Sequence, residues 1–443
     1  MGKRGVLRLA PLAIAMSLLG LSSTAGASGF AIIEQSASQQ GNAVAGGAAV
    51  AEDATTIFFN PAGMMRLSSG NQIVLGGHIV DSTADFTNDG SISYMGGPLT
   101  GPNSDGGTVG FVPNFYWSTD LMDGAKFGIG VNAPFGLTTK YDEDWVGRYH
   151  AIQSTLQTLN INPAIAFAMN DQWSMGLGVD IMYIKAKLTN DLNYNVICGG
   201  SGAVCSGANA PYADGQSEVD GSGLGYGYNL GLLYEPTDKT RMGFAYRSSI
   251  SQKLTGTASF NAPSNFTADF AYPAFQQTDA SASIDLPEST SLSIYHDITA
   301  SWAIMADWSW TRWSRFKQLT YNFANPYQPS ATTEENWKDS NRFALGANYR
   351  LNTRWLLRAG VAYDNTPVPS DQYRTPRIPD NDRTWASLGF NWKASKTMAV
   401  DVAYSHLFVP ETSIYDAQST GGILIGTYDS SVDIFSAQLV WDF

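Results

Sequence analysis

Cysteine is nearly absent from this 443-residue chain. The only two, Cys198 and Cys205 in CGGSGAVC, have no histidine or second cysteine pair near them in sequence, which argues against zinc. Their closeness leads us to expect a disulfide pinning a loop in an oxidising compartment. Histidine is almost as scarce: His78, His150, His296 and His406 complete the set. Neither Gly-x-Ser-x-Gly nor His-Glu-x-x-His occurs, so we expect no enzyme, no metal and no cofactor. Basic residues are in deficit, with 26 Lys+Arg against 39 Asp+Glu. Nucleic acid, which needs a basic surface, is therefore not an expected partner. Long apolar runs are missing too. The one candidate, Leu9–Leu21, follows Lys3, Arg4 and Arg8 and ends in SSTAGASGF. It is shorter than the ~18 residues of a membrane-spanning helix and reads as a secretory signal peptide, cleaved after Ala27. Removing its three basic residues takes the formal net charge from −13 to −16.

What the chain has is glycine, 44 residues of it, and aromatics in quantity, arranged in alternating strands. In WSMGLGVDIMY, Trp173, Met175, Leu177, Val179, Ile181 and Tyr183 fall on one face. Ser174, Gly176, Gly178, Asp180 and Met182 fall on the other, the period of 2 that defines a strand. The pattern returns from Phe343 to Tyr349, from Trp355 to Tyr363 and from Met398 to Tyr404. Aromatics stand at strand ends, as girdles at two membrane interfaces require. Short connections such as NDQ, EPTDKT, DITAS, LNT and KASK alternate with long polar ones near 81–107, 139–155, 190–221, 252–283, 321–337, 364–383 and 406–430. Such alternation implies an antiparallel transmembrane β-barrel of about fourteen strands. The closing FSAQLVWDF puts Phe435, Ala437, Leu439, Trp441 and Phe443 on one face, suited to lipid and to barrel insertion machinery.

Closure solves the backbone problem, since each unpaired amide or carbonyl in lipid costs several kcal/mol. Residues 28–70 precede the first good strand and are small and Gly/Ala-rich. A barrel of this width is not filled by its own side chains, so we expect these residues to plug the lumen, with 71–443 forming the wall. We expect a monomer in contact with outer-membrane lipid.

SGF at the mature start, followed by GNAVAGGAAVAEDATTIFFNPAGM, resembles the N-terminal hatch of the FadL-type long-chain fatty acid transporters of the Gram-negative outer membrane. NAPFGLTTKY at 132–141, LPEST at 286–290, WSRFKQL at 313–319, NWKDSNRFALG at 336–346, DNTPVP at 364–369 and IPDNDRTW at 378–385 extend the resemblance along the chain. It implies passive uptake of long-chain fatty acids. External loops would capture the ligand, a lumen pocket would hold it, and a gap at a kinked third strand would release it sideways. A same-family transporter of aromatic or aliphatic hydrocarbons is the alternative.

Candidate site residues follow. Asn60-Pro61-Ala62 reads as a turn: Pro61 fixes its own φ and biases Asn60 away from helix. The resemblance makes it a gating element placed at the gap in the wall, a hinge docked on the broken strand, and makes Phe30 an apolar group in the pocket. Pro134, between Asn132 and Gly136, interrupts the alternation of Phe127, Ile129 and Val131, and marks either a strand end or a kink. Lys338, Arg342, Arg358 and Asp364 share the lumen-facing parity of two adjacent strands. Folding about LNT brings Lys338 towards Asp364; the group reads as a carboxylate-binding set or as ordinary polar lumen wall. Lys185 falls on the lipid-facing parity, and Asn190 stands where the resemblance leads one to expect a cation. Phe260, Phe266, Phe270, Tyr272 and Phe275, with the loop at 190–221, form either an external capture groove or a small loop core.

Overall fold

The computed structural model describes residues 28–199, 214–261, 273–418 and 421–443. The expected leader at 1–27, Cys205, the Cys198 side chain, Phe266, Phe270 and Tyr272 lie outside the described residues.

Nineteen strand segments form one sheet. The first seven are β1 (Asn71–Asn88), β2 (Val109–Met122), β3 (Ala125–Asn132), β4 (Gly136–Lys140), β5 (Gln153–Ala168), β6 (Trp173–Leu192) and β7 (Gly215–Thr237). Next come β8 (Thr240–Arg247), β9 (Ile250–Asn261), β10 (Thr278–Leu286), β11 (Ser289–Asp297), β12 (Trp302–Thr311) and β13 (Gln318–Phe323). The last six are β14 (Ala331–Glu334), β15 (Ser340–Arg350), β16 (Trp355–Asp364), β17 (Arg383–Lys393), β18 (Met398–Gln418) and β19 (Gly422–Asp442). Five wall strands are each interrupted once, at 133–135, 248–249, 287–288, 312–317 and 335–339, so the segments make fourteen antiparallel strands. β1 pairs with β2 on one edge and with β19 on the other, from Gln72↔Asp442 to Asn88↔Gly426, which closes the barrel. The alternation in the sequence is thus the alternation between lipid and lumen. Leu75, Ile79, Leu177, Val179, Leu345 and Val361 are exposed on the outer face. Their neighbours Val74, Val80, Asp180, Ala344 and Ala362 are buried. At the short-turn end, Trp173 stacks on Tyr234 (4.3 Å), Trp302 meets Tyr349 (4.7 Å) and Trp355 stacks on Trp392 (6.1 Å), one aromatic belt.

The residues before Asn71 form short helical turns at Ala37–Gln40, Gly47–Val50, Thr56–Phe59 and Pro61–Arg66. They pack against the inward faces of strands around the wall, and their composition follows from that position. A Cβ on Gly128, Gly176, Gly231, Gly243, Gly360 or Gly389 would run into Ile57, Ala62, Asn60, Ala48, Asn42 or Gly41 respectively. Glycine on the wall and alanine or glycine inside let the two backbones approach, as few other residue pairs allow. Polar side chains then tie the two together in both directions, since the segment's backbone has no sheet or long helix of its own to satisfy it. Asn42 Nδ2 donates to the carbonyls of Ala347 (3.0 Å) and Ala359 (3.2 Å). Arg241 donates to Ala49 O at 3.1 Å, Arg247 to Phe58 O at 3.0 Å, and Arg342 to Ala43 O. Ala43 and Val44 sit at φ 51° and 55°, a costly region for a β-branched residue, and the Asn42 and Arg342 bonds flank that turn.

Candidate functional site

The third wall strand breaks where Pro134 predicts it. β3 ends at Asn132 and β4 begins at Gly136. The Phe135 amide donates to Thr158 Oγ1 at 3.1 Å, and that hydroxyl donates to the Phe135 carbonyl at 2.5 Å, so the kink stays attached to β5. Asn132 Oδ1 accepts from Asn160 Nδ2 at 3.3 Å. On the other side the β2–β3 ladder runs from Phe115↔Val131 downward, and Gly110–Asn114 carry no rung to the third strand.

The start of the N-terminal segment occupies this kink. Ile32 N donates to Pro134 O (2.8 Å), Gly136 N to Phe30 O (2.9 Å) and Gln35 Nε2 to Ala133 O (2.9 Å). Phe30 is 1 % exposed, in an aromatic nest with Trp313 at 4.6 Å, Phe316 at 5.6 Å, Trp337 at 5.8 Å and Phe135 at 6.1 Å.

Asn60-Pro61-Ala62 does not dock on the kink, contrary to expectation. Asn60 Nδ2 donates to Ala48 O at 2.7 Å and to Leu232 O of β7 at 2.9 Å, while its Oδ1 accepts from Ala62 N at 3.1 Å. Ser174 Oγ donates to Ala62 O at 3.1 Å. The reason is steric: the inward glycines Gly176 and Gly231 leave the space this turn fills, whereas the kink is already hydrogen-bonded to residues 30–35.

Above the Phe30 nest is an apolar cavity of ≈80 Å³, walled by Phe30, Leu156, Ile184, Leu254 and Ile284. Its polar groups include Ser154, Tyr321, Glu335 and Arg377. Arg377 comes from the loop between β16 and β17 and has no carboxylate within 4.0 Å among the described residues. Its guanidinium donates to Ser154 Oγ at 3.1 Å, with Thr189 O at 3.5 Å and Asn190 Oδ1 at 3.4 Å, all neutral acceptors. Burial pulls its pKa below the ordinary arginine value. Glu335 is buried, accepts from Trp337 Nε1 at 3.0 Å, and its carboxyl is pushed up to about 8 by burial. Asn190, the position that lacks an expected cation, thus contacts a cation supplied by another loop. Sequence reasoning missed Arg377 because it lies between β16 and β17, six residues before Arg383, in a loop whose path no periodicity reveals. Lys185 is exposed on the outer face, as its parity requires.

The other charged candidates separate. Lys338 is exposed, and its backbone N donates to Pro367 O, in the loop after β16, at 2.9 Å. Its expected lumen orientation fails because the chain is irregular from 335 to 339, which cancels the parity carried down from Phe343. Arg358 is 4 % exposed and held by Asp401 (2.5 Å) and by Glu52 (2.6 Å), so it joins the wall to the N-terminal segment. Arg342 and Asp364 are cross-strand partners in the β15–β16 ladder and line a second cavity, of ≈160 Å³, that extends to Pro134. Arg342 lies over the Trp385 ring at 5.1 Å, and its Nε and Nη1 find no acceptor among the described residues. Asp364 Oδ2 accepts from Ser28 N at 3.1 Å. Of the loop aromatics, Phe275 contacts Phe260 (5.8 Å) and Tyr194 (5.6 Å), a small loop core.

These features meet a consistent set of relatives. The chain is 29 % identical to the long-chain fatty acid transport protein of Escherichia coli O6:H1, covering 92 % of each. It is also 29 % identical to outer membrane protein P1 of Haemophilus influenzae, covering 89 % of each. A solved Pseudomonas aeruginosa FadL homologue superposes with a TM-score of 0.85 at 27 % identity, over 94 % of this chain and all of that one. The Pseudomonas putida toluene transporter TodX shares the fold, at TM-score 0.64 and 19 % identity, over 88 % and 94 % of the two chains. The model of the outer membrane protein transport family OMPP1/FadL/TodX matches residues 18–443, so this fourteen-strand outer-membrane barrel is a member of that family of transporters for hydrophobic compounds.

Proposed function

We propose that the cargo is a long-chain fatty acid, taken up passively, and that Arg377 receives its carboxylate. The observation that carries this reading is a partly buried guanidinium with only neutral partners, set in the wall of an otherwise apolar cavity. An aromatic hydrocarbon would leave that charge buried without a direct ion-pair partner, with Asp416 and Glu335 acting on it only at a distance, whereas a carboxylate would form charge-assisted hydrogen bonds with it. Apolar burial of the tail, ~0.8 kcal/mol per CH₂, supplies most of the affinity. Phe30 closes the inner end of the cavity. Its carbonyl holds the kink through Gly136 N, so displacement of residues 30–35 by a ligand tail would loosen the kink. Sideways release between β2 and the third strand is the route this coupling supports, with Asn60-Pro61-Ala62 acting as a hinge below it.

The test is binding of oleate and of toluene to the purified protein, read by fluorescence of Trp313 and Trp337 beside Phe30, with mass spectrometry of co-purifying ligand. Saturable oleate binding with fatty acids in the extract supports the reading. Toluene binding without oleate binding overturns it in favour of a hydrocarbon carrier.

A further inference from the structure

A second strand repeats the architecture of the kinked third strand on a different side of the wall. β8 stops at Arg247 and β9 starts at Ile250. On one side the strand keeps its neighbour: Ser289↔Arg247 and Leu286↔Ile250 are in the same register, with only 248–249 and 287–288 unpaired. On the other side its ladder with β7 opens. Rungs join Asn229↔Arg247 and, beyond a one-residue shift, Ser222↔Thr255. Gly223–Gly227 carry no rung to β8 or β9, although their other edge pairs with β6 throughout. Five residues of β2 opposite the Pro134 kink and five of β7 here are in the same condition. Ser248 closes the lower edge, accepting from Tyr228 N at 2.9 Å and donating its amide to Tyr228 O at 2.8 Å.

The sequence of β7 explains how the opposite strand moves inward. Its lumen-facing positions here are Gly223, Gly225 and Gly227. A Cβ on Gly225 would run into Ile250 and Gln252, and one on Gly223 into the Lys253 backbone, so the 248–254 segment lies over the inner face of β7. Gln252 reaches past β7 altogether, donating to Met182 O of β6 at 3.1 Å. Backbone without a ladder costs several kcal/mol per group in lipid, and here residues 248–254 cover the defect from the lumen side, so passage requires that cover to shift. Cavities adjoin it at both ends. The ≈160 Å³ cavity is lined by Leu230, Tyr246 and Arg247 at its lower edge, and Leu254 at its upper edge lines the ≈80 Å³ cavity. The outer rim is apolar, with Leu224, Tyr226 and Tyr228 all exposed. At ~3.3 Å rise per residue and ~40° tilt the unpaired residues stand roughly 18–28 Å above the Trp173–Tyr234 belt, level with the outer leaflet.

We propose that the interval between Gly223–Gly227 and residues 249–254 is a second lateral window, through which apolar cargo exchanges between the lumen cavities and the outer leaflet. This needs only that the cargo is apolar, and so stands apart from the fatty acid reading.

The experiment is reversible closure. Continuing the Ser222↔Thr255 register places Tyr226 opposite Ser251, and continuing Phe115↔Val131 places Pro113 opposite Ala133. Tyr226→Cys/Ser251→Cys closes the proposed window and Pro113→Cys/Ala133→Cys the one beside the kink. Each pair is joined by a short reducible bis-thiol linker and verified by mass spectrometry. Uptake of labelled oleate and toluene is measured in cells making the full-length protein, before and after reduction, with the unsubstituted protein treated identically. A fall of at least twofold on closing 226–251, alone or with 113–133 closed, and recovery on reduction supports the window; recovery also excludes misfolding. Unchanged uptake of every transported cargo with 226–251 closed in both backgrounds overturns it. Failure of the fatty acid reading would look different, as toluene but not oleate uptake in the unlinked protein.

Discussion

Replacing Asn60 by alanine isolates what the Asn60-Pro61-Ala62 turn contributes. Asn60 is fully buried, and its side chain makes three hydrogen bonds, to Ala48 O, Leu232 O and Ala62 N. It also caps the Pro61–Arg66 turn. Each bond is worth about 1 kcal/mol net, and no water-sized polar group replaces the amide, so Asn60→Ala destabilises the turn by about 3 kcal/mol. That raises the population of its open form roughly 100-fold. The rest of the N-terminal segment is held independently, by Arg241 on Ala49 O, Arg342 on Ala43 O and Arg358 on Glu52. Hydrogen exchange in the purified protein therefore has a local signature. The Gly63 and Leu67 amides, which donate to Asn60 O and Met64 O, should exchange about 100-fold faster. Amides of residues 37–50 should change by less than threefold. Unchanged protection at 60–67, or equal loosening of the whole segment, would refute the assignment of this turn as a separately held hinge.

Other consequences follow from the charged groups. Arg358→Gln leaves Asp401 and Glu52 without their cation and should cost about 3–5 kcal/mol; adding Asp401→Asn should restore part of it, as read by heat-dependent gel mobility. Oleate affinity should fall about three- to tenfold as pH rises through about 8. There the Glu335 carboxyl, protonated below that pH, ionises beside Arg377 and competes with the ligand; Glu335→Gln should flatten the profile in titrations at pH 7 and 9. Because the folded-state pKa of Glu335 lies above its ordinary value, the same group makes stability decline with rising pH up to about 8 and level off above it.

Features of the fold that impose a period on the sequence were legible in it, and the others were not. A period of 2 with outward apolar positions is imposed by lipid on every wall strand, so strand number, closure and the aromatic belt were all legible. Pro134 was legible because proline cannot donate to a ladder. The break at Ser248–Ser249 was not, since serine is at home in a strand; its signal lies in the neighbouring GLGYG, readable only once the two strands are known to be adjacent. Side-chain roles failed where parity was carried across an interruption, as from Phe343 back to Lys338. Arg358 was on the right face, but the partners that saturate it, Glu52 and Asp401, come from distant parts of the chain. Asn60 was singled out correctly as a turn, yet its docking place depended on which wall glycines lay level with it.

If Arg377 makes the cavity a carboxylate site, the dissociation constant of oleate for Arg377→Leu reports it, with Lys338→Ala measured beside it. Loss of a charge-assisted pair worth about 1.5–3 kcal/mol should weaken oleate about 10- to 150-fold. Lys338→Ala, whose lysine is exposed, should change it by less than twofold. An Arg377→Leu protein that binds oleate as tightly as the unsubstituted protein, with circular dichroism unchanged, would rule out Arg377 as the carboxylate partner.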